Sequence, residues 1–520
     1  MHSKGPGKRS GALYSQFLLE FKAIITAAGT GTADFTSFVF PHLSIRSRDI
    51  EPHCVFSDAD FVEDVYLYNV TFKRDVDFMG ANFLQRLSCR PAIFTGKADF
   101  QLVNFNDSAD FSGATFDQDA NFSASKFLKG AYFKDTPFQG NVDLSAVEFH
   151  GPANFSGACF SQPVSLANST FQLTALFLRT TFANKTDLSH IEFTQGAMFP
   201  QTRFLDDISF EGATFGGDTH FLFTEFAKAV DFNAAKFLAS ASFRETRFRS
   251  DDALQPGPIF SLTRFSSDAA ARFYKTDLSH ALFHNCDITE VTFSSVIWRK
   301  RPHNLNLMVF EEDLPLDSEY ASTLNLPDGD GRDYGLIAQL YQQLKKNYDN
   351  HLDYWAADHF HYGEMEMQRL AVPTSGPFLK LRAFYHRRVS LIAWYRRGSS
   401  YGNSYLRPAA WLCGILLLFA LLFPLTGLQR MSGNTTAPSS PAVTYSSVWP
   451  SSSPLHDKIW AELKLLGKSS LTAIDTATFQ KASEYTPIYP YGRAFAILES
   501  LLTATLFALF LLAIRRQFRR

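Results

Sequence analysis

Residues 94–138 read FTGKADFQLVNFNDSADFSGATFDQDANFSASKFLKGAYFKDTPF, with phenylalanine at 94, 100, 105, 111, 116, 122, 127, 133 and 138. The steps alternate between six and five residues, so the period is eleven. Followed outward, the rhythm runs from Phe61 to Phe248, and its few gaps hold Leu67, Cys89, Leu144, Leu166 and Leu188 at the expected places. A small or β-branched residue stands two positions before each apolar one: Ala81 before Phe83, Ala109 before Phe111, Val142 before Leu144, Val230 before Phe232. An amphipathic helix would place apolar residues three and four apart, and a half-buried strand every second residue. Neither fits. An internal repeat of this regularity fixes the architecture before local propensities are consulted.

Each step carries two inward residues, one aromatic and one small, and is otherwise polar. That suits a chain turning a corner at every step and winding into a stack, with main-chain bonds between coils at roughly 4.8 Å spacing. Each ring then lies on the ring of the next coil, and no unit buries its own apolar face alone. Ala98-Asp99-Phe100, Ala109-Asp110-Phe111, Ala120-Asn121-Phe122 and Ala153-Asn154-Phe155 resemble the Phe-rich form of the pentapeptide-repeat family. The resemblance implies a mainly β fold, a right-handed quadrilateral β-helix with four steps per coil. The extra residue in every second step departs from the family pattern and reads as a bulge at alternate corners. After an interruption at Ser250–Pro258 a pure five-residue rhythm appears at Phe273, Leu278, Phe283, Ile288 and Phe293. The whole run corresponds to about ten coils, a stack of roughly 45–50 Å. The expected structural core is Phe72, Phe78, Phe83, Phe100, Phe111, Phe122, Phe133, Phe155, Phe177, Phe199, Phe221 and Phe243. Asn and Asp beside these rings read as turn residues, whose side chains bond nearby backbone. The repeat itself generates triplets such as Asn121-Phe122-Ser123, so these are not read as glycosylation sites.

With 520 residues the chain has room for several domains, and a formal net charge of −2 gives no general pull toward nucleic acid. Cys54, Cys89, Cys159, Cys286 and Cys413 show no paired spacing, and three fall on inward positions of the repeat. They read as buried thiols in a reducing compartment rather than as disulfides or zinc ligands. The basic N-terminus is not followed by an apolar signal core. Leu13–Ala28, with Phe17, Leu18, Phe21, Ile24 and Ile25, reads as an amphipathic helix that covers the open end of the stack.

Beyond Trp298 the repeat gives way to a linker and then to two helical patterns, Tyr334–Tyr348 and Tyr354–Leu370. The pair, including Tyr362-Gly363-Glu364-Met365-Glu366, resembles the helical hairpin that follows such repeats in membrane-linked family members. His351, Asp358, His359, His361 and Glu364 match no zincin spacing, and neither metal nor cofactor is expected. Pro408–Leu428 carries no charge and Ala494–Ile514 only Glu499; each is about the 20 residues a helix needs to cross a bilayer. Arg387, Arg388, Arg396, Arg397 and Arg407 precede the first, and Arg515, Arg516, Arg519 and Arg520 follow the second. By the positive-inside rule both flanks, and the β-helix with them, are expected in the cytoplasm of a cell bounded by the plasma or inner membrane. The chain therefore divides into 1–32 (basic tail and capping helix), 33–298 (β-helix), 299–332 (linker) and 333–400 (helical hairpin and basic juxtamembrane segment). The membrane part follows as 405–428 (first span), 429–493 (outer loop with a re-entrant helix), 494–514 (second span) and 515–520 (basic tail).

In the outer loop a Ser/Thr/Pro-rich spacer precedes an amphipathic piece, Asp457–Lys468, and a second short helix, Ser469–Phe479. The order of elements, and Tyr491–Leu502 in particular, resembles the two-helix pore module of potassium-type channels. A selective filter needs a Gly-bearing strand of carbonyls. Here Thr476–Tyr485 has no glycine and carries Lys481. Thr476, Thr478, Gln480 and Glu499 are the candidate pore or subunit-contact residues. A carboxylate such as that of Glu499 is costly inside a membrane and faces protein or water, pairs with Arg493, or sits near the interface. No G-x-S-x-G, P-loop, dinucleotide loop or Cys/His ligand pair occurs, so no enzyme is expected. Three functions compete. The first is a membrane-anchored scaffold with a protein partner on the β-helix. The second is a channel-like oligomer, tetrameric by the resemblance. The third is a DNA mimic like the topoisomerase-binding members of the family. Interleaved acid and base, as in Lys73-Arg74-Asp75, argues against the last, and no nucleic acid is expected.

Overall fold

The computed structural model describes residues 11–249, 256–266, 271–302, 306–314, 332–371, 377–430, 443–444, 455–478, 485–487 and 490–518. The chain forms two compact units, residues 1–364 and 365–520.

The first unit is a four-sided β-solenoid. Each coil contributes four two-residue strands, for example Ala98–Asp99, Asn104–Phe105, Ala109–Asp110 and Thr115–Phe116. Strands repeat in parallel register 22 residues apart, as in Phe83↔Phe105 and Phe105↔Phe127. Two faces are 11-stranded parallel sheets, and the other two merge into one 20-stranded sheet through Leu43–Ile50 and Val65–Phe72. The bridge Ile259↔Leu282 adds one more level to an 11-stranded face, so the chain makes about 12 turns. The rhythm alone led to about ten. It undercounts because the first coils repeat at 21 residues (Thr32↔His53) and place Ile45 and Ile50 in register with Leu67 and Phe72, in columns where later coils hold rings.

All twelve expected core phenylalanines lie inside, none more than 3% exposed. Rings of successive coils stack face to face: Phe105 on Phe127 with centroids 4.4 Å apart, Phe133 on Phe155 at 5.0 Å with planes 4° apart. Adjacent columns meet edge to face, as Phe111 meets Phe122 at 5.4 Å. The edge-to-face contacts are a favoured arrangement of ring quadrupoles. The small inward positions carry a buried hydroxyl ladder. Thr136, Thr180, Thr202, Thr224 and Thr246 donate to the carbonyls of Phe111, Phe155, Phe177, Phe199 and Phe221 at 2.6–2.9 Å. A hydroxyl is thus kept in the apolar interior with its donor satisfied.

The alternating step lengths have a geometric cause. Five-residue steps turn a tight corner closed by a bond such as Ala114 N–H to the Phe111 carbonyl, 2.9 Å. The third residue of such a corner recurrently has positive φ, as at Ala124, Asp135 and Ala146. Six-residue steps turn a wider corner whose extra N–H leaves the ladder and donates to a carboxylate. Lys97 N–H donates to Asp75 (2.8 Å) and Asn141 N–H to Asp119 (3.0 Å), each one coil back.

Both ends of the solenoid are covered. The helix Gly11–Ala28 lays Phe17 and Phe21 on the first rings, with Phe21 5.0 Å from Phe35 and Phe17 edge-on to Phe40 at 5.7 Å. At the other end the last coil repeats at 20 residues (Phe273↔Phe293), in keeping with the pure five-residue rhythm. A short hairpin (Arg299–Lys300 with Leu307–Met308), the turn Phe310–Glu312 and the helix Tyr334–Asn350 follow. Elsewhere the N–H groups of this face donate to the next coil, but here there is none. Glu311 Oε1 accepts from Phe283 N–H (2.5 Å) and Gln343 Oε1 from Ile288 N–H (3.0 Å). Asn347 Nδ2 donates to the carbonyls of Ile288 and Thr289 at 3.2 and 3.1 Å. Trp298 and Tyr348 cover Phe293, with Trp298 Nε1 bonded to the Tyr348 hydroxyl at 2.7 Å.

The second unit begins within the helix Tyr354–Leu370 and continues through Pro377–Arg388, Leu391–Ser399, Leu406–Leu422, Leu455–Ala477 and Pro490–Gln517. Its core is Phe419, Ala420, Phe423, Leu428 and Ala473, with Ile415, Phe495 and Ala496 packed against it.

Candidate functional site

Leu406–Thr426 and Tyr491–Gln517 are long and apolar enough to cross a membrane. A core helix of a soluble protein passes the same test, but its apolar residues are covered. Here only 28% and 17% of the apolar windows are buried. Leu417, Ile497, Leu501 and Leu512 stand open on the outside of the bundle.

The segment between the two apolar helices packs against both of them. The expected pair of pieces, Asp457–Lys468 and Ser469–Phe479, is instead one continuous helix, Leu455–Ala477. Gly467 does not break it, since a lone glycine costs a helix only about 1 kcal/mol and no proline follows. The Ser469 hydroxyl donates to the Ala420 carbonyl, and Ser500 Oγ to the Thr476 carbonyl at 2.9 Å. A two-stranded antiparallel sheet, Leu428–Arg430 with Tyr485–Pro487, ties the ends of this segment together.

The four residues picked from sequence divide as follows. Thr476 sits at the contact with the second apolar helix, its hydroxyl bonded to the Thr472 carbonyl at 2.7 Å. Thr478 is exposed and bonds the Ile474 carbonyl at 2.8 Å. Gln480 lies outside the described residues. Glu499 is 0% exposed, and neither carboxylate oxygen has a hydrogen-bond partner among the described residues, so the expected pairing with Arg493 is not made. Thr472 and Thr503 are buried in the same bundle.

A second polar cluster lies where the chain enters the first apolar helix. Glu366 accepts from Arg369 Nη2 (2.6 Å) and from the Tyr401 hydroxyl (2.8 Å), and Arg396 Nη1 stands 3.4 Å away. Burial alone would raise this carboxyl, but the bonds from Arg369 and Tyr401 outweigh it and hold the group below its ordinary value. Arg516 Nη1 donates to the Tyr401 carbonyl at 3.2 Å, linking the end of the second apolar helix to the start of the first. None of these partners was picked from sequence. The signal was present as Glu366 and Arg369 three apart on one helix face.

The solenoid surface mixes charges. Lys97 pairs with Asp119 (3.1 Å), Lys126 with Glu148 (3.0 Å) and Arg203 with Glu225 (3.3 Å), each across one coil. One face carries the column Asp77, Asp99, Asn121, Asp143. Each uses Oδ1 to accept the N–H two residues on, at 2.7–3.0 Å. These carboxylates hold the corners of their own coil. Burial raises Asp99 above the ordinary carboxylate range.

Residues 92–137 match the family model for pentapeptide repeats in nine copies. The solenoid is built of pentapeptide repeats. No curated protein and no solved structure matches the chain at a significant level. A fold by itself does not assign a function.

Of the His/Asp/Glu group that matched no metal-site spacing, His361 and Glu364 are 3.4 Å apart, and Lys345 Nζ bonds the same carboxylate at 3.0 Å. Among the described residues no group of three or more His, Cys, Asp or Glu is placed to hold a metal. Cys54, Cys89 and Cys286 are buried, Cys159 is half-buried and Cys413 is exposed. Burial pushes the Cys54 thiol up to about 12.

Proposed function

We propose that the protein is a membrane-tethered scaffold, in which two spans hold a stiff pentapeptide-repeat solenoid at the cytoplasmic face and the solenoid's polar sides receive a protein partner. The observation that carries the tether is the low coverage of the two apolar helices. In water each uncovered Leu or Ile forgoes roughly 1.5–3 kcal/mol of burial. Two such helices side by side call for hydrocarbon around them. The arginines at Arg387–Arg407 and Arg515–Arg520 support the cytoplasmic orientation. The cross-coil ion pairs support a protein rather than a nucleic acid as partner, because acid and base alternate along the surface. Fractionation with alkaline carbonate tests the tether. The full chain should stay in the pellet, and recovery in the soluble fraction would refute it.

A second reading, a channel-like oligomer, is favoured by one observation: Glu499 is buried without a partner beside hydroxyl-bearing residues of two helices. In planar bilayers it predicts an ion current that changes with Glu499→Gln. A monomer by mass photometry in mild detergent would rule it out.

A further inference from the structure

Two short helices, Pro377–Arg388 and Leu391–Ser399, form an elbow just before the first apolar helix. Ser390 makes the bend, its hydroxyl donating to the His386 carbonyl (2.5 Å) and accepting from Ala393 N–H (3.3 Å). The elbow is packed inside out. Among the described residues its buried side chains are small, Ala383, Ala393 and Ser399, while Phe378 is 86% and Leu391 88% exposed, with Leu381, Phe384 and Trp394 also outward. A water-soluble amphipathic helix does the reverse. From Pro377 to Arg407 the chain carries seven Lys or Arg and no Asp or Glu. Arg382, Arg388 and Arg397 are exposed among the outward aromatics, and the Arg397 guanidinium lies over the Trp394 ring at 5.6 Å. The second helix of the elbow is fixed to the apolar pair. It packs against both, and a Cβ on Gly398 would meet Leu509 at 3.4 Å.

From this arrangement we infer that the elbow lies in the bilayer interface, inserts Phe378, Leu381, Leu391 and Trp394 among the acyl chains, and binds anionic lipid headgroups through Arg382, Arg388 and Arg397. Two features select lipid as the occupant. The second helix of the elbow packs against both spans, and among the described residues no carboxylate pairs with Arg382, Arg388 or Arg397, so their charge complements an anionic leaflet. Outward aromatic and aliphatic side chains interleaved with basic ones make a surface that is stable only at such a boundary. The inference rests on the proposed membrane insertion of the two apolar helices.

The test uses the full chain in mild detergent with equal amounts of phosphatidylglycerol and phosphatidylcholine, read by native mass spectrometry. Phosphatidylglycerol should be retained in preference. Each arginine near an anionic surface is worth about five-fold in partition, so Arg382→Gln/Arg388→Gln/Arg397→Gln should cut that retention by up to about a hundred-fold. The matching Arg→Lys triple should keep most of it. In vesicles, Leu391→Cys on a Cys413→Ala background should resist a water-soluble maleimide while Asn350→Cys, on the exposed helix of the first unit, reacts freely. Equal retention of the two lipids, or an unchanged triple variant, would overturn the inference. So would a flat lipid preference with Leu391→Cys still protected, which would mark a second copy of the chain as the cover. If carbonate leaves the chain in the membrane in these cases, the tether stands and only the elbow's role falls.

Discussion

Removing one ring from the middle of a column measures how far the solenoid depends on continuous stacking. Phe133 is fully buried. It lies between Phe111 and Phe155 at 5.1 and 5.0 Å and is met edge-on by Phe122 at 5.4 Å and Phe127 at 6.1 Å. An aromatic side chain buries roughly 150–250 Å², worth about 4–6 kcal/mol at 25 cal/mol per Å². Alanine keeps only the Cβ part of that. The coils above and below are held at strand spacing by their own ladders, so the gap cannot close. We expect Phe133→Ala to cost about 4 kcal/mol, within the range known for such truncations. Phe133→Leu should cost about 1–2 kcal/mol, because Leu144, Leu166 and Leu188 already serve in a neighbouring column. Hydrogen exchange with peptide-level mass spectrometry on the full chain reads the effect coil by coil. Peptides from about residue 109 to 160 should lose protection, while those around residues 210–243 keep it, since each coil touches only its neighbours. A loss below about 1.5 kcal/mol for the alanine variant, or an even loss along the whole solenoid, would refute ring stacking as the source of stability.

At the capped end, a Cβ on Gly363 would lie 2.4 Å from the ring of Tyr341, which is fully buried and holds the Val309 N–H at 3.0 Å. Gly363→Ala should therefore destabilise the hairpin by about 1–3 kcal/mol despite alanine's better helix propensity, and a urea midpoint that rises would contradict the packing. Burial pushes Glu311 from an ordinary 4.5 up to about 7. The folded state thus binds the proton more tightly than the unfolded one, and this contribution is complete below about pH 4.5 and lost as pH rises through 7. Relative to Glu311→Gln, the native protein should lose roughly 3 kcal/mol across that window, and a difference that is flat or opposite in sign in paired melts would exclude it. In the bundle, Glu499→Gln should raise the melting temperature in detergent, because a neutral amide replaces an unpartnered buried carboxylate; a lower one would mean that the carboxylate is bound by a group that stabilises the fold.

The solenoid was legible because its signal is repeated. One Phe-x-x-x-x-Phe step means little, but steps repeated from Phe61 to Phe248 leave a single way to bury the rings. The bulge at alternate corners was also readable, since an extra residue per eleven must leave the ladder somewhere. Legibility failed where the signal occurs once. Glu311, Gln343 and Asn347 act only because the last coil has no successor, and nothing local marks them except two amides four apart beside Leu340 and Leu344. The first coils were undercounted for the same reason: Ile45 and Ile50 fill ring positions, so the aromatic rhythm is silent there. In the second unit composition disclosed two apolar helices long enough to cross a bilayer. It did not disclose that residues 455–477 form one helix, because a glycine within a run of helix formers carries little information about a break.

The two ends of the solenoid are closed by different chemistry. The first coil presents rings, and an apolar helix edge with Phe17 and Phe21 suffices, since such contacts tolerate small changes of register. The last coil likewise presents rings and orphaned peptide groups, and there the cover bonds the peptide groups directly. Its cover therefore combines Trp298 and Tyr348 with polar side chains aimed at Phe283, Ile288 and Thr289. Hydrogen bonds of this kind are directional and fail with a one-residue slip. They also separate a finished solenoid from one able to add another strand, because a capped N–H is no longer a template. Glu311, Gln343 and Asn347 find these partners only when the coil from Leu278 to Ile297 is in place. The coil in turn buries its peptide groups only when the helix Tyr334–Asn350 is docked, so the terminal coil and its cap form as one cooperative unit.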